Sequence, residues 1–294
     1  MRSAIYAPPY GEFSDPRLHA ELARAAEDAG WDGYFFWDHL VLVRGTPLAA
    51  TWVTLGAIAQ ATERIRIGSM VTPVSRHRPW MLAKEVATLD HLSGGRVILG
   101  VGLGGPGDTD FSNFGENSNL KVLAQKLDEG LEIMHGLFGD APFSFEGEHY
   151  KIKESVLRPV PVQQPRVPIW VGGQWPHRPA FRRAARWDGC FPMQALERFD
   201  PSPTGDLADF TRAWLPPAAY HEIRELLATE RKSDAPFDLV AMGSTAADAA
   251  AAASGKIKAY REAGATWWLE WLTGEPGCAE KARTLIERGP PGAG

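Results

Sequence analysis

The sequence predicts an α/β chain folded as a single (β/α)8 TIM barrel with small insertions, spanning residues 1–294. Short apolar strands alternate with longer helical patterns from end to end, the mark of parallel βα units. About eight such units can be counted, the number that closes a barrel. A length of 294 residues suits such a barrel, which needs roughly 250, and 44% hydrophobic with 23% charged residues is the balance of a globular chain with one large core.

Taken in order, the first strand is expected at Ser3–Ala7, and Asp15-Pro16 opens a helix that runs to Ala29, with Gly30 as its C-cap. Trp31-Asp32-Gly33 leads into a second strand, Tyr34–Trp37, after which Thr51–Thr62 reads as a helix and Arg64–Val71 as the third strand. Pro79 starts a helix that ends at Ser93-Gly94-Gly95. Arg96–Val101 is nearly all apolar, as a strand buried on both faces should be, and a helix follows from Leu120 to Leu137. Residues 143–150 alternate around a Glu-Gly turn and read as a surface hairpin inserted into the barrel. Val167–Val171 and Asp188–Phe191 are the fifth and sixth strands. Residues 196–217, with several prolines and weak periodicity, read as an irregular excursion suited to a lid. The seventh strand is Phe237–Met242, the eighth Thr266–Trp271, with an Ala-rich helix over Ala246–Ala263 and a last helix from Gly277 to Arg288. Ala29–Tyr34, Ala185–Cys190 and Ala263–Trp267 share one logic of helix end, tight turn and strand onset, an internal echo that supports the repeat.

A formal net charge of -5 provides no basic face to replace the counterions around phosphates, so no nucleic-acid partner is expected. Arg76-His77-Arg78 and Arg182-Arg183, the densest basic spots, are both short. The first residues run straight into the first strand, without a charged segment and apolar run of a leader, and no stretch approaches the length of a membrane span. Cys190 and Cys278 match no metal or redox spacing, which points to a reduced, cytoplasmic setting. The chain has no His-Glu-x-x-His metal pattern and no Gly-x-Ser-x-Gly elbow.

In a parallel barrel the chemistry sits where strands end. Asp38-His39 follows the second strand and places a carboxylate and an imidazole, a proton carrier near neutral pH, at the barrel mouth. Taken alone, the pair reads more readily as a helix-capping Asp beside a bystander His, and adjacent residues on an extended chain point to opposite faces, so the two need not touch. Ser69-Met70-Val71-Thr72-Pro73 ends the third strand and by itself is a plain strand exit. Gly100–Gly107 is dense enough in glycine for a flat ring or phosphate to approach the main chain, and a flexible loop explains it equally well. Its Gly-x-Gly is not followed directly by a helix, so it fails as a dinucleotide fingerprint. Gly172-Gly173-Gln174, with a helix starting near Pro179, is a ready anion site, with His177 and Arg178 either adding charge or merely solvated. On the eighth strand, alternation sends Trp267 and Leu269 to one face and Trp268 and Glu270 to the other; most of these read as core, and a Trp or Glu at the mouth could shape a pocket.

Together these strand ends resemble the luciferase-like monooxygenase superfamily of flavin and coenzyme F-420 (deazaflavin) enzymes. The resemblance rests on Thr62–Gly68, Val71-Thr72-Pro73, Arg76–Pro79, Ala83–Gly102, Leu127-Asp128-Glu129, Leu131–Met134 and Pro168–Gly173, and it covers most of residues 1 to about 195. It implies a small-molecule oxidoreductase with FMN or coenzyme F-420 at the C-terminal mouth and a homodimeric assembly. Hydride transfer with coenzyme F-420 is favoured over a reduced-FMN, oxygen-using monooxygenase. A non-catalytic flavin-binding barrel and an unrelated sugar-phosphate barrel are the remaining readings. By the resemblance, His39, with Asp38 beside it, serves catalysis. Ala7, Ser69, Met70, Val71, Thr72, Gly102, Leu103, Gly104, Gly172, Gly173 and Gln174 line the cofactor, with a non-prolyl cis peptide expected at Ser69-Met70. Trp37, Arg76, Asp108, Glu270 and Trp271 are the candidate substrate contacts. Some deazaflavin members carry a Glu just after the fourth-strand glycines, where this chain has Gly105-Pro106-Gly107-Asp108, which leaves Asp108 as a candidate acid.

Overall fold

Caps and glycines in the sequence set where the helices begin and end, and the apolar runs between them become strands. The computed structural model describes residues 1–42, 45–104, 109–195, 213–274 and 276–291. β1 (Arg2–Ala7) leads to α1 (Pro16–Asp28), where Asp15 accepts a hydrogen bond from the Arg17 N–H at 2.8 Å and Pro16 takes the first helical position. β2 (Gly33–Phe36) is followed by α2 (Thr51–Ala61). β3 (Arg66–Ser69) and β4 (Thr72–Pro73) precede α3 (Pro79–Ser93), which stops on Gly94 at a left-handed φ of 67°. Next come β5 (Leu99–Gly102), the short α4 (Thr109–Ser112) and α5 (Leu120–Leu137), the last capped by the Asn119 side chain. An antiparallel hairpin, β6 (Phe143–Glu146) and β7 (Lys151–Ser155), interrupts the βα alternation. The chain continues through β8 (Ile169–Trp175), α6 (Arg178–Ala184), β9 (Gly189–Gln194), α7 (Pro217–Glu230), β10 (Asp238–Gly243), α8 (Ala250–Glu262), β11 (Trp267–Trp271) and α9 (Cys278–Glu287).

The parallel strands are hydrogen-bonded in the order β3-β2-β1-β11-β10-β9-β8-β5-β4. β3 and β4 stand at opposite ends of that order, yet they are two halves of one strand, interrupted at Met70-Val71, whose peptide bond is cis. The ends therefore meet, with the Ile98 N–H donating to Ile67 O at 2.9 Å, and the sheet closes as the expected eight-membered barrel.

The echo seen in the sequence has a physical cause. Asp32 Oδ2 accepts the Ser3 N–H at 2.8 Å, Asp188 Oδ2 accepts the Ile169 N–H at 2.9 Å, and Thr266 Oγ1 accepts the Leu239 N–H at 3.0 Å. Each is a polar residue at a strand onset that ties down the first N–H groups of the neighbouring strand, satisfying donors at the N-terminal rim. Glu27 serves the same rim: its carboxylate accepts from the N–H groups of Glu63, Arg64 and Ile65 as the chain turns into β3.

Strand alternation divides the core in two. Ile5, Tyr34, Ile67, Leu99, Ile169 and Trp268 pack outward under the helices, while Ala4, Tyr6, Phe35, Trp170, Trp267 and Leu269 fill the barrel. Inside, Trp170 meets Trp267 at 5.3 Å and Phe35 at 5.6 Å, closing the centre, and a second aromatic layer of Tyr6, Trp37, Phe191 and Trp271 lies toward the C-terminal mouth.

Several boundaries differ from those expected. The third strand is split rather than continuous over residues 64–71, and the cis bond is Met70-Val71 rather than Ser69-Met70. The fourth runs from Leu99, though the Arg96 carbonyl and the Ile98 N–H before it already pair with Ile67 of β3, and the Arg96 guanidinium donates to the carbonyls of Ala59, Thr62 and Ile65 at the end of α2. The sixth extends to Gln194, and the hairpin arms reach Ser155, with the N–H groups of its turn held by the Glu129 carboxylate. α8 begins at Ala250, since residues 244–246 are taken up by bonds around Glu270 and Ser244. Of the expected excursion, residues 196–212 lie outside the described residues, and Pro217 already belongs to α7.

Candidate active site

Trp37, Asp38 and His39 leave β2 at the C-terminal mouth, and α4 and the turn before α3 bring Asp110, Arg76 and His77 to them. Asp38 Oδ1 is paired with Arg76 Nη2, and Asp38 Oδ2 accepts from Thr72 Oγ1 at 3.0 Å with His77 Nε2 standing 3.4 Å away. The same guanidinium turns its Nη1 to the Asp38 carbonyl at 3.3 Å and to Asp110 Oδ2 at 2.5 Å. Asp110 in turn accepts from the N–H groups of Leu40 and Val41 at 3.1 and 2.9 Å, and its Oδ2 lies 3.0 Å from His39 Nδ1. The Asp110 side chain is fully buried, that of Arg76 is 6% exposed and that of His39 24% exposed, so the charges stack inward beneath a ring that reaches solvent.

Burial alone would raise both carboxyls, yet both are held below the ordinary carboxylate range. For Asp38 the opposing causes are His77, the Arg76 guanidinium and the Thr72 hydroxyl. For Asp110 they are His39 and the two backbone N–H groups. An ionised Asp110 is acceptor-only, so the proton between it and His39 sits on Nδ1, and Nε2 is the ring nitrogen left for proton transfer. Asp38 and His39 do not bond to each other. They belong to one network through Arg76.

The aromatic layer forms the wall beside this network. Trp37 and Trp271 stack at 5.2 Å with planes 8° apart, and Tyr6 meets them edge-on at 5.6 and 5.4 Å while donating its hydroxyl to Met70 O. Val71, half-buried, is the floor. Gly102 and Gly172 flank it: a β-carbon at Gly102 would stand 2.7 Å from Val71 Cγ2, and one at Gly172 3.0 Å from Val71 Cγ1. Gly173 has no room for a β-carbon because Ala180 of α6 would be 2.6 Å away. These glycines are required first by the barrel's own packing. Beyond them Leu103, Gly104 and residues 172–175 are half-exposed, an accessible strip of main chain along the mouth, with Gly104 at a left-handed φ of 92°.

The remaining candidates fall elsewhere. Ala7 is fully buried among the outward-packing residues, and Tyr6 is the β1 side chain that faces the mouth. Ser69 is buried, its hydroxyl on the Gly100 carbonyl, and Thr72 is consumed by Asp38. Arg76 is not open to a substrate, since two buried carboxylates hold it. Glu270 is not at the mouth: it is fully buried on the outer side of β11, accepting from Trp268, Ser244 and Thr245. Asp108 lies outside the described residues, and the carboxylate that meets His39 is Asp110, two positions on. α6 has only 7 residues, too short for an effective anion site at its start, and Gln174 contributes its carbonyl to the turn by accepting from His177 N at 2.8 Å. Sequence reading missed Asp110, Tyr6 and His77. Alternation alone would have chosen Tyr6 over Ala7, whereas Asp110 sits on the four-residue α4, too short to carry a periodic signal.

A (β/α)8 barrel whose ionisable residues converge at the C-terminal strand ends defines the class of the protein. Residues 3–198 match the luciferase-like monooxygenase family, and the chain belongs to that family. An F420-dependent glucose-6-phosphate dehydrogenase of Nakamurella multipartita is 33% identical over 166 residues, covering 55% of this chain and 48% of that one. An uncharacterised protein of Mycobacterium tuberculosis is 31% identical over 194 residues, 60% of this chain and 65% of its own. The chain spans about half the length of the curated dehydrogenases it matches. Among solved structures, an F420-dependent secondary alcohol dehydrogenase in complex with an F420-acetone adduct superimposes with a TM-score of 0.77 at 18% identity over 100% of this chain and 99% of that one. The coenzyme F420 dependent tetrahydromethanopterin reductase from Methanopyrus kandleri gives 0.71 at 16% identity over 98% of each. At these identities the shared feature is the fold.

Proposed function

We propose that the protein is an oxidoreductase dependent on coenzyme F-420 that acts on a small organic molecule at the mouth of the barrel. The observation that carries the reading is the His39–Asp110 pair, a base of defined tautomer set beside an apolar seat. A flat cofactor ring suits that seat: Val71 is its floor, no β-carbon projects at Gly102 or Gly172, and the aromatic layer stands beside it. Val71, Leu103, Gly104, Gly172, Gly173 and Gln174 would hold the cofactor. When bound, a deazaflavin supplies two-electron chemistry by accepting or giving a hydride. His39 Nε2 takes the proton of a substrate hydroxyl during oxidation and returns it to the oxygen during reduction. Asp110 keeps the ring oriented and stabilises its protonated form, and Arg76 keeps Asp110 ionised. The aromatic layer and the packed barrel centre exclude water from below.

The names of the curated relatives favour coenzyme F-420. The family description supports the second reading, an FMN-dependent monooxygenase. The same proposal includes a cytoplasmic homodimer without nucleic-acid partners. It is supported by two free, buried cysteines, by the net negative charge, and by exposed apolar side chains on neighbouring helices, Val53 on α2 and Met81 and Leu92 on α3. No helix among the described residues is long and apolar enough to cross a membrane. The test is His39→Ala: coenzyme affinity is expected to hold while turnover falls by roughly 10² or more. Unchanged turnover would remove His39 from the chemistry and with it the ground for this reading.

A further inference from the structure

We infer that the site takes an uncharged, largely apolar molecule bearing one hydroxyl or carbonyl oxygen and discriminates against phosphorylated and other anionic substrates. The inference rests on the reading of the site just given, whose catalytic base it uses as the polar anchor.

Two independent observations lead to it. The first is the lining. Tyr6, Trp37, Phe191 and Trp271 make one aromatic layer on the C-terminal side of the barrel, with Tyr6 in edge contact with the other three at 5.4 to 5.8 Å. Partly exposed Met193 and Trp214 pack against it from the ends of β9 and the start of the α7 segment. Trp37 and Trp271 sit at the C-terminal ends of their strands and Tyr6 and Phe191 back them from within the barrel, all four buried, so the base of the mouth is apolar, and such a base is worth most to a ligand with apolar area to bury.

The second is the charge. Arg76 is the guanidinium built into the network at His39, and it is shared by Asp38 and Asp110, both buried and both ionised. Both arms of that guanidinium are taken up by buried carboxylates, so among the described residues the network keeps no guanidinium free to pair with an anion. A phosphate brought to His39 would lose its water against aromatic rings and find the Arg76 guanidinium already paired with two carboxylates, and both effects disfavour it. An alcohol or ketone suffers neither and can place its oxygen against His39 Nε2. The substrate named for the curated relatives is a sugar phosphate, so the charge arrangement at His39 sets an expectation for this chain that differs from theirs.

The test compares ligands on purified wild-type protein, with and without coenzyme F-420, by calorimetry and by quenching of tryptophan fluorescence. The probes are acetophenone, an uncharged aromatic ketone, and glucose 6-phosphate. Acetophenone is expected to bind at least about tenfold more tightly, a step of ~1.4 kcal/mol. Trp271→Ala is expected to weaken acetophenone by about tenfold, the same step. Glucose 6-phosphate binding as tightly as the ketone, or the ketone failing to bind, would overturn the inference. Coenzyme binding, followed separately, reports on the proposed function itself: its absence would sink that reading, while the ligand ranking in the coenzyme-free protein would still decide the substrate class.

Discussion

Replacing Asp110 by asparagine removes the acceptor that fixes His39. The carboxylate receives Leu40 N–H, Val41 N–H, Arg76 Nη1 and His39 Nδ1. An amide has one acceptor oxygen and one donor nitrogen. If the oxygen stays with the backbone N–H of Val41, the NH2 group faces His39 Nδ1 and Arg76 Nη1, donor against donor. His39 relieves its half of that clash by moving its proton to Nε2, which destroys the base. A hydrogen bond to a charged group is worth about 1.5–3 kcal/mol, so the productive tautomer becomes disfavoured by an amount of that order. Since ~1.4 kcal/mol is a factor of ten, kcat is expected to fall by about 10- to 100-fold with KM little changed. A merely structural role would not move the tautomer, so the decisive assay is ¹⁵N NMR of the His39 ring. Wild-type protein is expected to show the Nδ1–H form and Asp110→Asn the Nε2–H form, and the alkaline-active limb of the pH–rate profile is expected to flatten. A folded Asp110→Asn protein with wild-type kcat and an unchanged tautomer would refute the argument.

Two further outcomes test the frame that holds the site. The Glu27 carboxyl is opposed by burial but held below the ordinary range by the N–H groups of Arg64, Ile65 and Glu63. A group with a lowered folded pKa stabilises fully above its unfolded value and loses that contribution as the pH falls through the folded value. Glu27→Gln is therefore expected to cost about 1–3 kcal/mol in urea unfolding at pH 7, with the difference from wild type shrinking below about pH 4, and a constant difference at all pH values would contradict the assignment. Gly102→Ala, whose methyl would stand 2.7 Å from Val71 Cγ2, is expected to cost about 1–3 kcal/mol in wild type and clearly less in a Val71→Ala background. Equal costs in both backgrounds would mean that Val71 is not what the glycine accommodates.

The fold was legible because it is written in local rules. Strand alternation, the caps at Asp15 and Gly94 and the repeated polar residue at strand onsets each act over a few residues, and they fixed the order of elements and the location of the mouth. Asp38-His39 was found because it follows directly on a strand. What stayed hidden depended on partners far apart in sequence. Asp110 reaches His39 from 71 positions away, on a helix of four residues too short for its spacing to set it apart from Asp108 in the sequence. Arg76 looked available because its two carboxylates lie 34 and 38 positions away from it. The glycines at 102, 172 and 173 read as a ring or phosphate cradle, and only the packed barrel shows that Val71 and Ala180 already need the space. Glu270 turned on a single point of alternation, the same rule that separates Tyr6 from Ala7.

The central claim is that the mouth binds a deazaflavin. Titration of purified protein with coenzyme F-420 and, in parallel, with oxidised and reduced FMN tests it most directly, followed by fluorescence of the coenzyme and by quenching of the protein's tryptophan emission. Saturable binding of coenzyme F-420, tighter than FMN by about tenfold or more, is the expected result. Tight binding of FMN alone would contradict the assignment and transfer the same base, wall and seat to a flavin monooxygenase.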